Sequence, residues 1–389
     1  MSITTAKGFV AMGLSCGLKD SAALDLALVA TADGVATSAA GVFTDNKMTA
    51  APVLTSRRHL DRTDGRAAAI VLNSGNANAA TGAQGEADAQ AMCAAVADGL
   101  GCDPHEVLVC STGLIGIPLP IDKIVATVPQ LVAERSTIGG EIAAEAILTT
   151  DTHRKEVVVE VAGSSAIVGG MAKGAAMLAP NMATMLAVLT TDAEVEPDEL
   201  TAMLRAGVAT SFNRLMTDAC RSTNDTVLVL ASGVAGPVPT DDLATAIAEA
   251  CRNLAAQMAG DAEGATKVVT LTVRGAATEA DAETGARQIA GSALCKCSWF
   301  GQDPYWGRLA SELGSAGIDL DQQRVSVAYG GITVAAEGIS IDHDEAAVAA
   351  HLADRHFDIV CDLGLGDGIF SVLTNDLTHA YIDENTGGS

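Results

Sequence analysis

Aromatic residues are nearly missing from this chain: Phe, Trp and Tyr together make up 3% of its 389 residues. Hydrophobic residues still account for 49%, so the core has to be assembled from Ala, Val, Leu and Ile in close contact. The length is ample for that and permits two or three domains. Basic residues are scarce too. Lys and Arg number 23 against 48 Asp and Glu, a formal net charge of -25. Phosphates would be repelled over most of such a surface, which excludes nucleic-acid binding. Met1 to Val10 holds one Lys and no signal-like apolar run, and no later run reaches a membrane span; a cytoplasmic protein without membrane contact is expected. The nine cysteines are scattered without a CxxC and are expected as reduced core thiols. Cys295 and Cys297 form a lone CxC with no neighbouring His or Cys to complete a site, so no metal is expected. Repeats and low-complexity linkers are absent, and Gly364 to Gly368 lacks the spacing of a dinucleotide loop. Gly13-Leu14-Ser15-Cys16-Gly17 has the letters of a nucleophile elbow, but Ala11-Met12 is too short a strand before it and Lys19-Asp20-Ser21 is a turn after it.

What is present is an alternation of apolar runs and helical spacings, a mixed α/β pattern with many short strands. Strands are predicted at Ala67 to Leu72, Val107 to Cys110, Val157 to Val161, Ala166 to Val168, Val268 to Val273, Arg324 to Ala328, Ile332 to Ala335 and Phe357 to Leu363. Helices are predicted at Gly85 to Leu100, Ile121 to Val132, Glu141 to Leu148, Pro197 to Gly207, Leu243 to Met258 and Ala280 to Gly291.

The chain centres on Gly169 to Ala187. Two glycines lead to Lys173 among small residues, Pro180-Asn181 marks a turn, and Thr184 opens an apolar run that reads as a buried strand. A Thr in that setting is ordinarily structural, as β-branched residues favour strands. The chemical alternative is a nucleophile. A Thr hydroxyl needs a base, and a Thr that becomes a chain N-terminus carries its own in the α-amine. Cutting the Ala183–Thr184 bond would create it, with the small Ala183 leaving the hydroxyl's attack on its carbonyl unhindered. Elsewhere, Thr112-Gly113 at a strand end suits an oxyanion. The isolated Lys173 suits either a snorkelling surface position or a carboxylate ligand.

Met171-Ala172-Lys173-Gly174, Met177, Pro180 and Ala183-Thr184-Met185-Leu186 resemble the self-cleavage segment of the ornithine acetyltransferase family, also called glutamate N-acetyltransferase. The loop Asn73 to Gly82, Ser222 to Thr226 and Asp261 to Lys267 extend the likeness over essentially the whole chain. The resemblance implies a self-processing fold with layered sheets flanked by helices, shared with related aminopeptidases. It implies an α fragment, 1–183, and a β fragment, 184–389, that stay associated as a heterotetramer. It also implies acetyl transfer from N2-acetyl-L-ornithine to L-glutamate through an acetyl-Thr184 ester, without a cofactor; use of acetyl-CoA as a further donor stays open. Thr112 and Gly113 take the oxyanion positions. Thr149, Lys173, Glu263, Asn385 and Ser389 take substrate-binding positions. Three departures stand out: Ala219-Cys220-Arg221 in place of a glycine and small polar residues, Tyr305 in place of Asn, and a tail one residue short. They keep two alternatives in view, a self-cleaving amidase or aminopeptidase, and a non-catalytic protein of the same fold.

Overall fold

The computed structural model describes residues 2–177 and 185–386. Ala183, Thr184 and Ser389 therefore lie outside the described residues. The chain divides into two compact units, Met1–Asn213 with Cys220–Met258, and Arg214–Ala219 with Ala259–Ser389. This division differs from a covalent one at residue 183.

In the first unit the chain runs β1 (Phe9–Leu14), β2 (Leu26–Thr31), β3 (Thr37–Phe43), α1 (Ala51–Arg62), β4 (Arg66–Ala67), β5 (Ala69–Asn76), α2 (Gly82–Leu100) and β6 (Val107–Leu114). It continues with α3 (Ile121–Ala133), α4 (Gly140–Ala146), β7 (Lys155–Glu160), β8 (Ile167–Lys173), β9 (Leu186–Glu194) and α5 (Pro197–Ala209). A short β10 (Leu215–Met216) belongs to the second unit, after which β11 (Thr226–Pro237) and α6 (Thr240–Gly260) complete the first.

Two sheets form, one in the order β1-β2-β5-β6 and one in the order β4-β3-β11-β9-β8-β7. β5 and β6 are parallel and joined through α2; β9 and β11 are parallel and joined through α5. Strands buried on both faces need continuous apolar runs, and Ala69 to Leu72, Val107 to Cys110, Leu186 to Leu189 and Val227 to Leu230 supply them. Ile70, Leu72, Leu108, Leu186, Val188, Leu228 and Leu230 share one core between the sheets. On the outer face of the first sheet, Val71 and Val109 pack with Met92, Val96, Ile124 and Val128 of α2 and α3. On the outer face of the second, Leu254 of α6 approaches Gly170, Leu189 and Val157, and α5 lies on β3. The layers are helix, sheet, sheet, helix, in accord with the expected mixed α/β class with layered sheets.

The second unit holds one mixed sheet. Its elements are β12 (Val268–Ala276), α7 (Glu279–Gly291), α8 (Ala293–Phe300), α9 (Gly307–Ser315), β13 (Ser326–Tyr329), β14 (Ile332–Ala336), β15 (Ile339–Ser340), α10 (Glu345–Ala353), β16 (His356–Asp362), β17 (Gly368–Asn375) and α11 (His379–Glu384). The strand order is β10-β17-β12-β16-β13-β14-β15. Val269, Leu271, Val273, Ile359 and Val372 alternate inward against Ile289, Trp299, Leu313 and Leu352 of the helices.

Two expectations need correction. Ala11-Met12 is part of a full strand, β1, whose Gly13 faces α4 so closely that a Cβ there would lie 2.2 Å from the Ile142 carbonyl oxygen. No helix follows Ser15 until α1, so the elbow motif is still unmet. Five cysteines are core thiols, but Cys220 and Cys297 are exposed, since each stands where its chain segment faces outward.

Candidate active site

The parallel ends of β5 and β6 change character together. After Leu72 and Cys110 the side chains become polar or absent, in paired register: Asn73 beside Ser111, Ser74 beside Thr112, Gly75 beside Gly113. Gly113 has φ +130°, and a Cβ on it would stand 2.3 Å from the Gly75 carbonyl carbon, so the two strand ends close only because residue 113 has no side chain; Gly75 is suited to its own φ of +101°. Thr112 is 1% exposed and its Oγ1 is buried with no hydrogen-bond partner among the described residues. Burying an unpaired hydroxyl costs on the order of 1–3 kcal/mol, a cost that points to a group kept for a ligand. The asparagines at the end of β5 and just beyond it donate to backbone carbonyls, while Asn73 Oδ1 is buried with no hydrogen-bond partner among the described residues. Asn73 Nδ2 donates to the Asn76 carbonyl, Asn76 Nδ2 to the Ile117 and Pro118 carbonyls, and Asn78 Nδ2 to the Gly85 carbonyl.

A second constellation forms at the end of β8. Lys173 is 3% exposed, which sets aside the snorkelling alternative. Its Nζ donates to Thr149 Oγ1 at 2.6 Å and stands 3.5 Å from Asp151 Oδ2. Asp151 Oδ1 accepts from Lys155 Nζ at 2.6 Å and from the Gly174 N–H at 2.7 Å, while Oδ2 accepts the Thr149 N–H at 3.2 Å. The side chains of Asp151 and Lys155 are fully buried. Burial alone would raise the Asp151 pKa; the ammoniums of Lys173 and Lys155, with the Gly174 amide, overcome it and hold the carboxyl well below the usual range. Lys19 reaches the same neighbourhood, its Nζ donating to the Leu24 and Leu148 carbonyls at 2.7 Å each. Its pKa is pushed down by burial, with Lys173 adding to the fall. Cations outnumber Asp151 here, a setting suited to a carboxylate ligand.

Lys173 pairs with Leu186 in the antiparallel β8–β9 ladder. The Ala183–Thr184 bond thus belongs to the connection between two hydrogen-bonded strands. At the start of β9 the Met185 N–H donates to Asp225 Oδ1 at 3.0 Å. Asp225 is fully buried, its Oδ2 has no hydrogen-bond partner among the described residues, and burial pushes its carboxyl well above the ordinary value, against the opposing effect of the Met185 hydrogen bond. Its neighbour Asn224 donates from Nδ2 to the carbonyls of Ala77 at 2.6 Å and Ser111 at 2.9 Å.

In the second unit, Glu263 Oε2 accepts from Asn385 Nδ2 at 2.8 Å, so these two expected ligands are brought together. Thr378 Oγ1 donates to the Gly264 carbonyl, pinning the start of α11 to the loop. Asp376 holds the same loop by accepting the Thr266 and Lys267 N–H groups. Glu384 has its pKa raised by burial first, then by Glu263 and Asp261, an accumulation of carboxylates suited to an ammonium. Tyr305 is 58% exposed and its ring lies against Gly307, so this departure sits on the surface of its unit. Ala219 adopts φ +61°, a conformation in which the glycine of the family pattern would be unstrained.

Comparison with known proteins completes the description. The ArgJ family model matches residues 10–387. The chain belongs to the ArgJ family. The arginine biosynthesis bifunctional protein ArgJ of Mycobacterium tuberculosis (strain ATCC 25618 / H37Rv) is 49% identical over 395 residues, covering all of this chain and 96% of that protein. Its counterpart of the same description in Streptomyces coelicolor is 46% identical over 390 residues, covering both in full. Among solved ArgJ-family structures, an ornithine acetyltransferase from Mycobacterium tuberculosis complexed with ornithine is 47% identical over 46% of this chain and 94% of that one, with a TM-score of 0.44. An ArgJ from Bacillus halodurans is 33% identical over 51% of this chain and 96% of that one, with a TM-score of 0.48.

Asp151, Lys155, Lys19, Asn224 and Asp225 were given no role by sequence reasoning. A signal existed for the aspartates: each stands in a hydroxyl-rich run, Asp151 four residues before β7 and Asp225 directly before β11, where a buried carboxylate needs a partner.

Proposed function

We propose that the chain cuts itself between Ala183 and Thr184 and then transfers acetyl from N2-acetyl-L-ornithine to L-glutamate in arginine biosynthesis. Membership of the ArgJ family across residues 10–387 supports the reading. So do full-length relatives that carry the name arginine biosynthesis bifunctional protein and a relative crystallised with ornithine. The observation in this chain that carries it is the buried Thr112 hydroxyl, without a hydrogen-bond partner among the described residues, beside the strand ends that close at Gly113.

The chemistry runs in two halves. The Thr184 hydroxyl adds to the acetyl carbonyl while its α-amine takes the proton. The Thr112 hydroxyl and the Gly113 N–H donate to the oxyanion. The C–N bond breaks as the proton passes to the leaving nitrogen, and ornithine departs with acetyl-Thr184 left behind. The glutamate amine then adds to the ester carbonyl, and collapse returns the Thr184 hydroxyl and releases N-acetyl-L-glutamate. By the family resemblance, Lys173 and Thr149 have a substrate-binding role that suits a carboxylate, and Glu263, Asn385 and the tail residue Ser389 have one that suits an amine. No metal or organic cofactor enters this scheme. The fragments 1–183 and 184–389 stay together because the β8–β9 and β3–β11 ladders join one to the other. Two of each make the heterotetramer, in the cytoplasm.

The test is acetyl transfer by the purified protein with and without glutamate, beside Thr112→Val. Glutamate-dependent transfer is expected, with kcat in Thr112→Val lower by about a hundredfold or more. Stability should be unchanged or higher, because the variant removes a buried hydroxyl that has no hydrogen-bond partner among the described residues. Acetyl release that needs no glutamate would overturn transfer in favour of hydrolysis. Acetyl-CoA in place of acetylornithine decides whether the chain also uses that donor.

A further inference from the structure

We propose that Asn224 and Asp225 act as a bracket that ties Met185, the residue that follows the proposed nucleophile Thr184 in the chain, to the end of β6 that carries the oxyanion donors Thr112 and Gly113. The inference rests on the acetyl-transfer reading above. Both are positioning residues, acting through the backbone of their neighbours.

The geometry is that of two consecutive residues reaching opposite ways. Successive side chains in extended chain point to opposite faces. Asn224 uses both of its amide hydrogens on carbonyls of the oxyanion side, Ala77, the first residue after β5, and Ser111, the residue before Thr112. Its own amide oxygen accepts the Thr223 hydroxyl at 2.5 Å, which fixes the direction of the amide. Asp225 reaches the nucleophile side. Its Oδ1 accepts the N–H of Met185, one peptide bond beyond Thr184, while the next residue's Thr226 N–H donates to the Met185 carbonyl at 3.1 Å. Both polar groups of the Met185 backbone are therefore held by residues 225 and 226. The bracket itself is anchored, since the Thr44 N–H donates to the Asp225 carbonyl at 2.9 Å and Thr44 Oγ1 to the Ser222 carbonyl at 2.9 Å.

The consequence is a short rigid path from one sheet to the other. β6 carries Thr112 and Gly113 in the four-stranded sheet, and Met185 leads directly into β9 of the six-stranded sheet. Asn224 and Asp225 bond to both at the ends where the chemistry is placed. A misplacement of about 1 Å between reacting groups costs on the order of a hundredfold in rate, so a fixed bridge at this point serves kcat. The role needs an oxygen acceptor at 225 and a double donor at 224. It needs no charge at 225, consistent with burial favouring the neutral carboxyl there.

The experiment compares wild type, Asn224→Ala, Asp225→Ala, Asp225→Asn and Asp225→Glu in full-length protein. Processing is followed by intact mass, folding by circular dichroism, and kcat and KM by acetyl transfer. Asn224→Ala and Asp225→Ala are expected to process slowly and to lose about tenfold or more in kcat, with KM for acetylornithine unchanged. Asp225→Asn, which keeps the oxygen acceptor, restores what the alanine loses. Should the alanine variants not fold, Asp225→Glu decides: its extra methylene displaces the Met185 contact, and kcat falls below that of Asp225→Asn. Folded alanine variants, or an Asp225→Glu protein, with wild-type kcat would overturn the bracket, as would Asp225→Asn as slow as Asp225→Ala. A wild type that transfers no acetyl group would instead sink the acetyl-transfer reading, and the bracket with it.

Discussion

Asp151 and Asp225 are two fully buried carboxylates on either side of the same β8–β9 connection, and they are displaced in opposite directions. Asp151 has Lys155 Nζ at 2.6 Å, Lys173 Nζ at 3.5 Å and two backbone N–H donors. Asp225 has one amide N–H, that of Met185, at 3.0 Å, its Oδ2 has no hydrogen-bond partner among the described residues, and Lys173 acts only at longer range. Burial raises both. Direct contact with two ammoniums is what keeps Asp151 charged, and its lack is what favours the proton on Asp225. The first carboxylate can hold neighbouring lysines in place, and the second can hold the Met185 backbone in place without adding charge there.

Removing Asp151 should break this comparison hardest. Asp151→Ala leaves Lys155 and Lys173 buried without their carboxylate, and stability by denaturant unfolding should fall by about 3–5 kcal/mol. A loss below about 1 kcal/mol would mean that the lysines reach solvent. Their pH dependences sharpen the contrast. The folded-state pKa of Asp151 is depressed, so its stabilising contribution is present above the unfolded value of about 3.9 and is lost as pH falls below it. The folded-state pKa of Asp225 is raised, so its contribution is complete below about 3.9 and is lost as pH rises from there through the folded value. Asp225→Asn should therefore be as stable as wild type at neutral pH, or more so, and should lose that advantage in acid. Thermal unfolding across pH 3 to 7 measures both; an Asp225→Asn protein much less stable than wild type at neutral pH would show a charged carboxylate.

The smallest expected effect concerns Ala219. At φ +61° it pays a strain that glycine does not. Ala219→Gly should raise stability by up to about 1 kcal/mol, and a fall would show that the local backbone has adapted to the side chain.

The apolar runs made the strands of the first unit legible. Ala67 to Leu72 and Val107 to Cys110 found the parallel pair, because strands buried on both faces have to be continuously hydrophobic. The polar extensions were not legible as strand, since Asn73 to Asn76 continues the ladder only through its pairing with Ser111 to Leu114. β1 was hidden by Gly13, whose purpose is close contact with α4. α1 was hidden by its Thr, Ser and Arg content, and β17 by the glycine-rich turn before it. At the site, Lys173 and Thr149 were legible as separate positions, but their bond was not. Asp151 and Asp225 passed without a role because their meaning comes from partners distant in sequence: Lys173 lies 22 positions beyond Asp151, and Met185 lies 40 before Asp225.

The central claim is that Thr184 becomes a chain N-terminus and carries the acetyl group. Intact-protein mass spectrometry of wild type beside Thr184→Ala tests it most directly. The account predicts two wild-type fragments meeting at Ala183/Thr184, acetylornithine adding one acetyl group to the fragment that begins with Thr184, and a single uncut chain in the variant. A folded wild type that stays whole would contradict it, because Thr184 would then have no free amine to serve as base.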